Sequence, residues 1–186
     1  MFKNPQVTGF FIALAMTVFS LVFYLVFIDQ KQYVLIDNPT EKTCRVTLND
    51  KKIILAPKQS LQIDIKEKNN ITTFLDDSLL YENKIFFADN IKRALINPTL
   101  SEYYTYKNYY GYVKNKDSLL KASHIYIDSI VFFGEIRKLN QLYIKDFYLN
   151  LDQNYPSIKK NQDTLTGIIK IFRKNQFIDY YNENLK

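Results

Sequence analysis

The chain reads as a mainly β domain, an antiparallel meander or sandwich-like fold, with a C-terminal amphipathic helix and one N-terminal transmembrane helix ahead of it. Three observations predict this class. Residues 7–28 contain no charged side chain. Beyond them, short runs alternate apolar with polar residues and stop at Asn, Asp and Pro, the pattern of half-buried strands and their turns. After residue 160 the apolar period changes from two to three and four, the spacing of a helix face.

Length sets the outer limits. A chain of 186 residues holds one domain of ordinary size plus a terminal element. It is too short for a barrel enzyme of roughly 250 residues. With 15 Tyr and 14 Phe there is ample material for a packed core, which excludes disorder along the whole chain. A single Cys excludes an intrachain disulfide framework and any multi-cysteine zinc site.

The first element is the span itself. A helix over residues 7–28 is about 33 Å long, which matches the hydrocarbon core of a bilayer. Its polar residues, Thr8, Thr17, Ser20 and Tyr24, do not forbid insertion, since Ser and Thr hydroxyls bond back to helix carbonyls. The apolar stretch exceeds the h-region of a cleaved signal, about 7–15 residues, and no small-x-small site follows it. Cys44 lies too far downstream for a lipoprotein signal. The expectation is an uncleaved anchor: a short tail over 1–6, the span over 7–28 and a linker over 29–32. Gly9 and Ala13 form a small-xxx-small pair suited to helix–helix association in the membrane.

Positive charge counted naively does not send the C-terminal part outward, because Lys31, Lys42 and Arg45 outnumber Lys3. Long domains translocate largely regardless of charge, however, and the short flank with Lys3 resembles a signal-anchor start. The expected topology is a cytoplasmic N-terminus and an outer-facing domain. Abundant Lys, Asn, Ile and Tyr resemble the product of an AT-rich bacterial genome, which makes the expected location the inner membrane with a periplasmic domain.

A β-rich domain is expected over 33–160. Strands are read over 33–36, 44–48, 53–55 and 61–65, closed by Asp37-Asn38-Pro39-Thr40, Asn49-Asp50, Pro57 and Asn69-Asn70 respectively. In the fourth, Leu61, Ile63 and Ile65 enter the core while Gln62 and Asp64 face water. Further strands are read over 84–87, 93–96, 102–112, 125–133 and 142–151. The strand at 93–96 leaves through Asn97-Pro98-Thr99, as the first leaves through Asn38-Pro39-Thr40. A duplication of about 60 residues is one account. Two uses of the same turn chemistry is the preferred one. In the tail, 161–186, Leu165, Ile168, Ile169 and Phe172 make one helical stripe with Asp163 as N-cap, and 176–184 continues that helix or forms a second. The stripe is expected to pack on the sheet; an interfacial helix on the bilayer is the alternative.

Catalytic constellations are hard to assemble from these residues. His124 is the only His and cannot build a metal site alone; no Gly-x-Ser-x-Gly elbow exists, and the four glycines form neither a P-loop nor a dinucleotide fingerprint. Cys44 reads as a small buried hydrophobe rather than the nucleophile of a pair with His124. Asp76 and Asp77 read as a turn or helix cap. Asp128, interrupting an apolar run, is the most interesting carboxylate. No cofactor, metal or nucleic acid is expected, since the basic residues are spread along the chain among acidic ones.

The most unusual segment is 103–112, where Tyr103, Tyr104, Tyr106, Tyr109, Tyr110 and Tyr112 crowd together almost without aliphatic residues. It reads as a buried strand with cross-strand aromatic pairs, as a protein-contact strip, or as a stacking platform for sugars or single strands. With the anchor, and with no catalytic set, the sequence points to an interaction or scaffold protein. Its domain would bind another envelope or secreted protein, with the six tyrosines as candidate contacts. The alternatives are an anchored immunity protein that captures a toxin, and an anchored hydrolase of envelope polymers working through carboxylates.

Overall fold

A computed structural model describes residues 5–24, 33–88, 93–111, 121–157 and 166–185. The chain separates into two compact units, Met1–Gln32 and Tyr33–Lys186. The first contains helix α1 (Pro5–Phe23), which starts on a proline whose missing N–H costs nothing at a first turn. Thr17 donates to the Ala13 carbonyl at 3.0 Å, the back-bond that lets a hydroxyl sit in an apolar helix. Residues Gln6–Phe23 are long and apolar enough to cross a membrane, and none of that stretch is buried in protein. A helix of this length near an N-terminus fits a signal sequence as well as an anchor. The end of the expected span, 25–28, and the linker lie outside the described residues.

The second unit begins with β1 (Tyr33–Asp37), β2 (Cys44–Leu48), β3 (Lys51–Leu55), β4 (Ser60–Ile63), β5 (Lys68–Leu75) and β6 (Ser78–Phe87). It continues through β7 (Arg93–Ile96), β8 (Tyr103–Tyr110), β9 (His124–Ile127), β10 (Ile130–Phe133), β11 (Ile136–Leu139), β12 (Tyr143–Ile144), β13 (Thr166–Arg173) and helix α2 (Lys174–Asn184). The strands form a central sheet, β12-β7-β1-β4, an N-terminal sheet, β3-β2-β5-β6, a tyrosine sheet, β11-β8-β13, and the separate hairpin β10-β9.

Alternation within each strand stacks these as layers. Val34 and Ile36 of β1 pack with Cys44, Val46, Leu48 and Leu55 of the N-terminal sheet. Leu35, between them, points the other way and packs with Leu95, Tyr103 and Ile171 against the tyrosine sheet. That is why Val34, Leu35 and Ile36 are apolar without interruption: β1 is buried on both faces. The far face of the tyrosine sheet, Tyr104, Tyr106 and Phe172, is covered by Phe177 and Tyr181 of α2 and by Ile127 and Phe132 of the hairpin.

The two Asn-Pro-Thr turns belong to a repeat, which corrects the reading of mere shared turn chemistry. β1 pairs antiparallel with β4, and β2 pairs antiparallel with β3 and β5. In the second half β7 pairs antiparallel with β12, and β8 with β11 and β13. The order and pairings are the same once the β9–β10 hairpin after β8 and the extra strand β6 are set aside. Asn38 Nδ2 donates to the carbonyl of Lys42 and its Oδ1 accepts from Thr40; Asn97 does the same with Ser101 and Thr99. Superposing the two turns makes Ile36 equivalent to Leu95, yet in the parallel β1–β7 ladder Ile36 sits beside Ile96. This one-residue difference turns equivalent side chains to opposite faces, so each half packs on its own sheet. Most equivalent positions carry unlike residues, such as Cys44 and Tyr103, so little of the repeat shows in the sequence.

Four strand or helix expectations need correction. Residues 166–173, expected as a helical stripe, form β13, paired along its whole length with β8. Ile169 and Ile171 face the central sheet and Phe172 faces α2, so a strand covered on both sides imitates a helical spacing. The helix starts only at Lys174, where the Gln176 side chain reaches back to accept from the Arg173 backbone N–H at 3.3 Å, and its face packs on the tyrosine sheet. Asp163 and Leu165 lie outside the described residues. The strand expected over 125–133 is a hairpin, because Asp128 and Ser129 take φ of 48° and 67° and close a two-residue turn. The strand expected over 142–151 shrinks to Tyr143–Ile144, since Asp146 at φ 68° breaks the run, and Leu149 makes only an isolated bridge to Lys170. The strand read over 84–87 is the end of the longer β6, which turns back from β5 at Asp76-Asp77.

Candidate functional site

β8 is the middle strand of a sheet covered on both faces, so its tyrosines have little water to face. Tyr103 is 0% exposed, and Tyr104 and Tyr106 are 1% exposed. Tyr103 donates its hydroxyl to Asp37 Oδ2 at 2.5 Å. The same carboxylate accepts from Arg173 Nε at 2.9 Å, from Arg173 Nη2, and from Ser60 Oγ at 2.8 Å. Asp37 follows Leu35 in phase, so β1 delivers it to the tyrosine sheet, where it is fully buried. Burial, with Asp37 beside it, pushes the Tyr103 phenol well above its ordinary range. The bond to Asp37 holds the Arg173 guanidinium further above its own. This network ties the first strand of the domain to the last, and its carboxylate is fully buried.

Tyr104 stacks on Phe177 with ring centroids 5.6 Å apart and donates to Glu102, which also pairs with Lys138. Tyr106 meets the rings of Tyr155, Phe177 and Tyr180. Burial raises the Tyr104 and Tyr106 phenols. Tyr109 and Tyr110 are half-buried; Tyr109 donates to Glu135 at 2.6 Å, and Lys107 pairs with that carboxylate at 3.0 Å. Tyr112 lies outside the described residues. Three of the expected contact tyrosines are therefore core, and the cluster is placed as a buried strand would place it.

The other candidates stand apart. Asp76 pairs with Lys42 at 3.4 Å and Asp77 with Arg45 at 2.6 Å at the β5–β6 tip. Asp128 pairs with Lys174 at 2.7 Å at the β9–β10 tip. Asp76 and Asp77 share one hairpin tip and Asp128 sits at another, each held by its own cation. Cys44 is buried in the first core, and burial pushes its thiol up to about 11, away from thiolate reactivity. His124 lies on the exposed face of the β9–β10 hairpin, its ring 5.6 Å from Tyr126. Among the described residues, no three His, Cys, Asp or Glu side chains converge on a metal position. A cleft of about 520 Å³ opens at the start of α2, but its cations are engaged: Arg173 with Asp37, Lys174 with Asp128 and Lys58 with Glu41.

What the domain does present is apolar surface. On the hairpin, Tyr126 pairs with Val131 and His124 with Phe133, and all four face outward, with Tyr126 70% exposed. On the N-terminal sheet, Ile54 of β3, Arg45 of β2, Phe74 of β5 and Leu79 of β6 form one outward row by register. Ile54 is 65% exposed, and Leu79, Leu80, Ile85 and Phe87 are exposed along β6. Reading the sequence missed both surfaces, although Tyr126, Val131 and Phe133 signal theirs once the turn at Asp128-Ser129 is known. Set against protein-family models, curated proteins and solved structures, the chain matches none.

Proposed function

We propose that the protein is a single-pass, membrane-anchored interaction protein whose β-rich domain binds another envelope or secreted protein. One observation carries the reading: large apolar side chains are exposed in groups on two faces of the domain. Contiguous apolar patches of this kind mark contact surfaces more often than chemistry. The apolar α1 supports the anchor, the tendency of long domains to translocate largely regardless of charge supports an outward-facing domain, and the abundance of Lys, Asn, Ile and Tyr supports a bacterial inner membrane with that domain in the periplasm.

The test is site-specific photo-crosslinking in intact cells, with the crosslinker replacing Ile54 or Tyr126 in turn and exposed Glu183 as the control position. The expected result is a discrete adduct with another protein from at least one apolar surface and none from Glu183. Absence of any adduct from both surfaces sinks the reading.

A further inference from the structure

The internal repeat makes the two halves controls for one another. Superposing the turns makes Arg45 equivalent to Tyr104 and Thr47 equivalent to Tyr106. The ladders then place Phe74 opposite Arg45 and Phe172 opposite Tyr104, so the two phenylalanines are equivalent too. In the second half this outer face is closed: Phe177 packs against Tyr104, Tyr106 and Phe172. In the first half the chain runs on into β6, and among the described residues of this unit no helix lies over Arg45, Thr47 and Phe74.

We infer that the outer face of the N-terminal sheet is the docking site for an amphipathic, acidic helix of the partner protein, laid across β2, β3 and β5 much as α2 lies on the tyrosine sheet. This rests on the protein-binding reading and says which surface serves it and what it takes. A groove of about 260 Å³ crosses the face, lined by Arg45, Thr47, Lys52, Ile54 and Phe74. Ile54 and Phe74 give it an apolar floor of the size of one or two anchor side chains. Lys52 flanks the groove with positive charge, while Arg45 on the same face pairs with Asp77 at 2.6 Å; the lysine favours a helix carrying a carboxylate beside its apolar stripe. Four strands at about 4.8 Å spacing are roughly 14 Å across. A helix of the length of α2, about 16 Å, covers that width. A strand added at the β6 edge fits less well. β6 carries register shifts at Ile71/Thr73 and Thr73/Phe74, and Glu82 and Lys84 interrupt it, the features that block edge pairing.

The closing experiment uses the full chain in intact cells, with the photo-crosslinker at Ile54 and, in parallel, at Tyr126; adducts are digested and the joined peptides sequenced. The expected Ile54 adduct maps to a partner segment with apolar residues at i, i+3, i+4 and i+7 and acidic residues beside them. Leu79→Lys and, separately, Lys52→Glu, both at exposed positions, lower its yield at least ten-fold while the circular dichroism of the purified protein is unchanged. An Ile54 adduct with a second copy of this chain overturns the inference, as does one with a non-helical or basic segment. Adducts from Tyr126 alone overturn it and leave the protein-binding reading standing. Adducts from neither position remove both.

Discussion

Removing Arg173 tests the contact that ties the two ends of the domain together. Its guanidinium donates from Nε and Nη2 to Asp37, 136 residues away in sequence, across the interface between the central and tyrosine sheets. Arg173→Met keeps most of the apolar stem and deletes both charged bonds. Asp37 is fully buried and would retain only Tyr103 and Ser60 as donors. Hydrogen bonds to a charged group contribute about 1.5–3 kcal/mol each, and breaking one side of a buried pair costs about 3–5 kcal/mol. Arg173→Met should therefore cost about 3–5 kcal/mol, a large part of the roughly 5–15 kcal/mol that holds a domain together. Asp37→Leu should cost a similar amount, because it strands the cation and the Tyr103 hydroxyl. Together the two substitutions remove both charges, so the double variant should recover about 2 kcal/mol or more relative to the sum. Urea unfolding of the full chain in detergent micelles, followed by circular dichroism, measures all four corners of the cycle. Single-variant costs below about 1 kcal/mol, or costs that simply add, refute a buried, mutually compensating pair.

Alkaline pH should unfold the domain cooperatively. An unfolded tyrosine ionises near pH 10, whereas burial holds Tyr103, Tyr104 and Tyr106 neutral well above that and pushes Tyr81 up to about 12. Below pH 10 both states keep the proton and stability is unaffected; above it the unfolded chain binds fewer protons, so stability falls by about 1.4 kcal/mol per pH unit for each such group. The three buried tyrosines together remove about 4 kcal/mol per unit, so tyrosinate absorbance should rise abruptly, together with the loss of circular dichroism. A gradual titration centred near pH 10 in a protein that stays folded would count against the burial. The repeat makes its own prediction: Asn38→Ala and Asn97→Ala each strand buried carbonyls in equivalent turns and should each cost about 2–3 kcal/mol. Measured costs differing by more than about 2 kcal/mol would mean the turns do not do equivalent work.

Local chemistry was legible in the sequence wherever one strand and its own turn decide the outcome. The uncharged run that forms α1, the strands β1 to β4 with their turns, and the alternation of Leu61, Ile63 and Ile65 against Gln62 and Asp64 all follow from residue type and period. So does the crowding of tyrosine, which the sequence could read as a buried strand but could not distinguish from a contact strip. Only the tertiary structure chose between these, because a tyrosine on either face of β8 is inside once sheets or a helix lie on both sides. The same condition made β13 resemble a helix, since two buried faces erase the period-two signal in Thr166–Arg173. The pairing of Asp37 with Arg173, the superposition of the two halves, and the bare outer face of the N-terminal sheet depend on contacts between segments distant in sequence. Periodicity records how one strand meets its immediate surroundings; it carries no information about which layer lies beyond or whether a layer is missing.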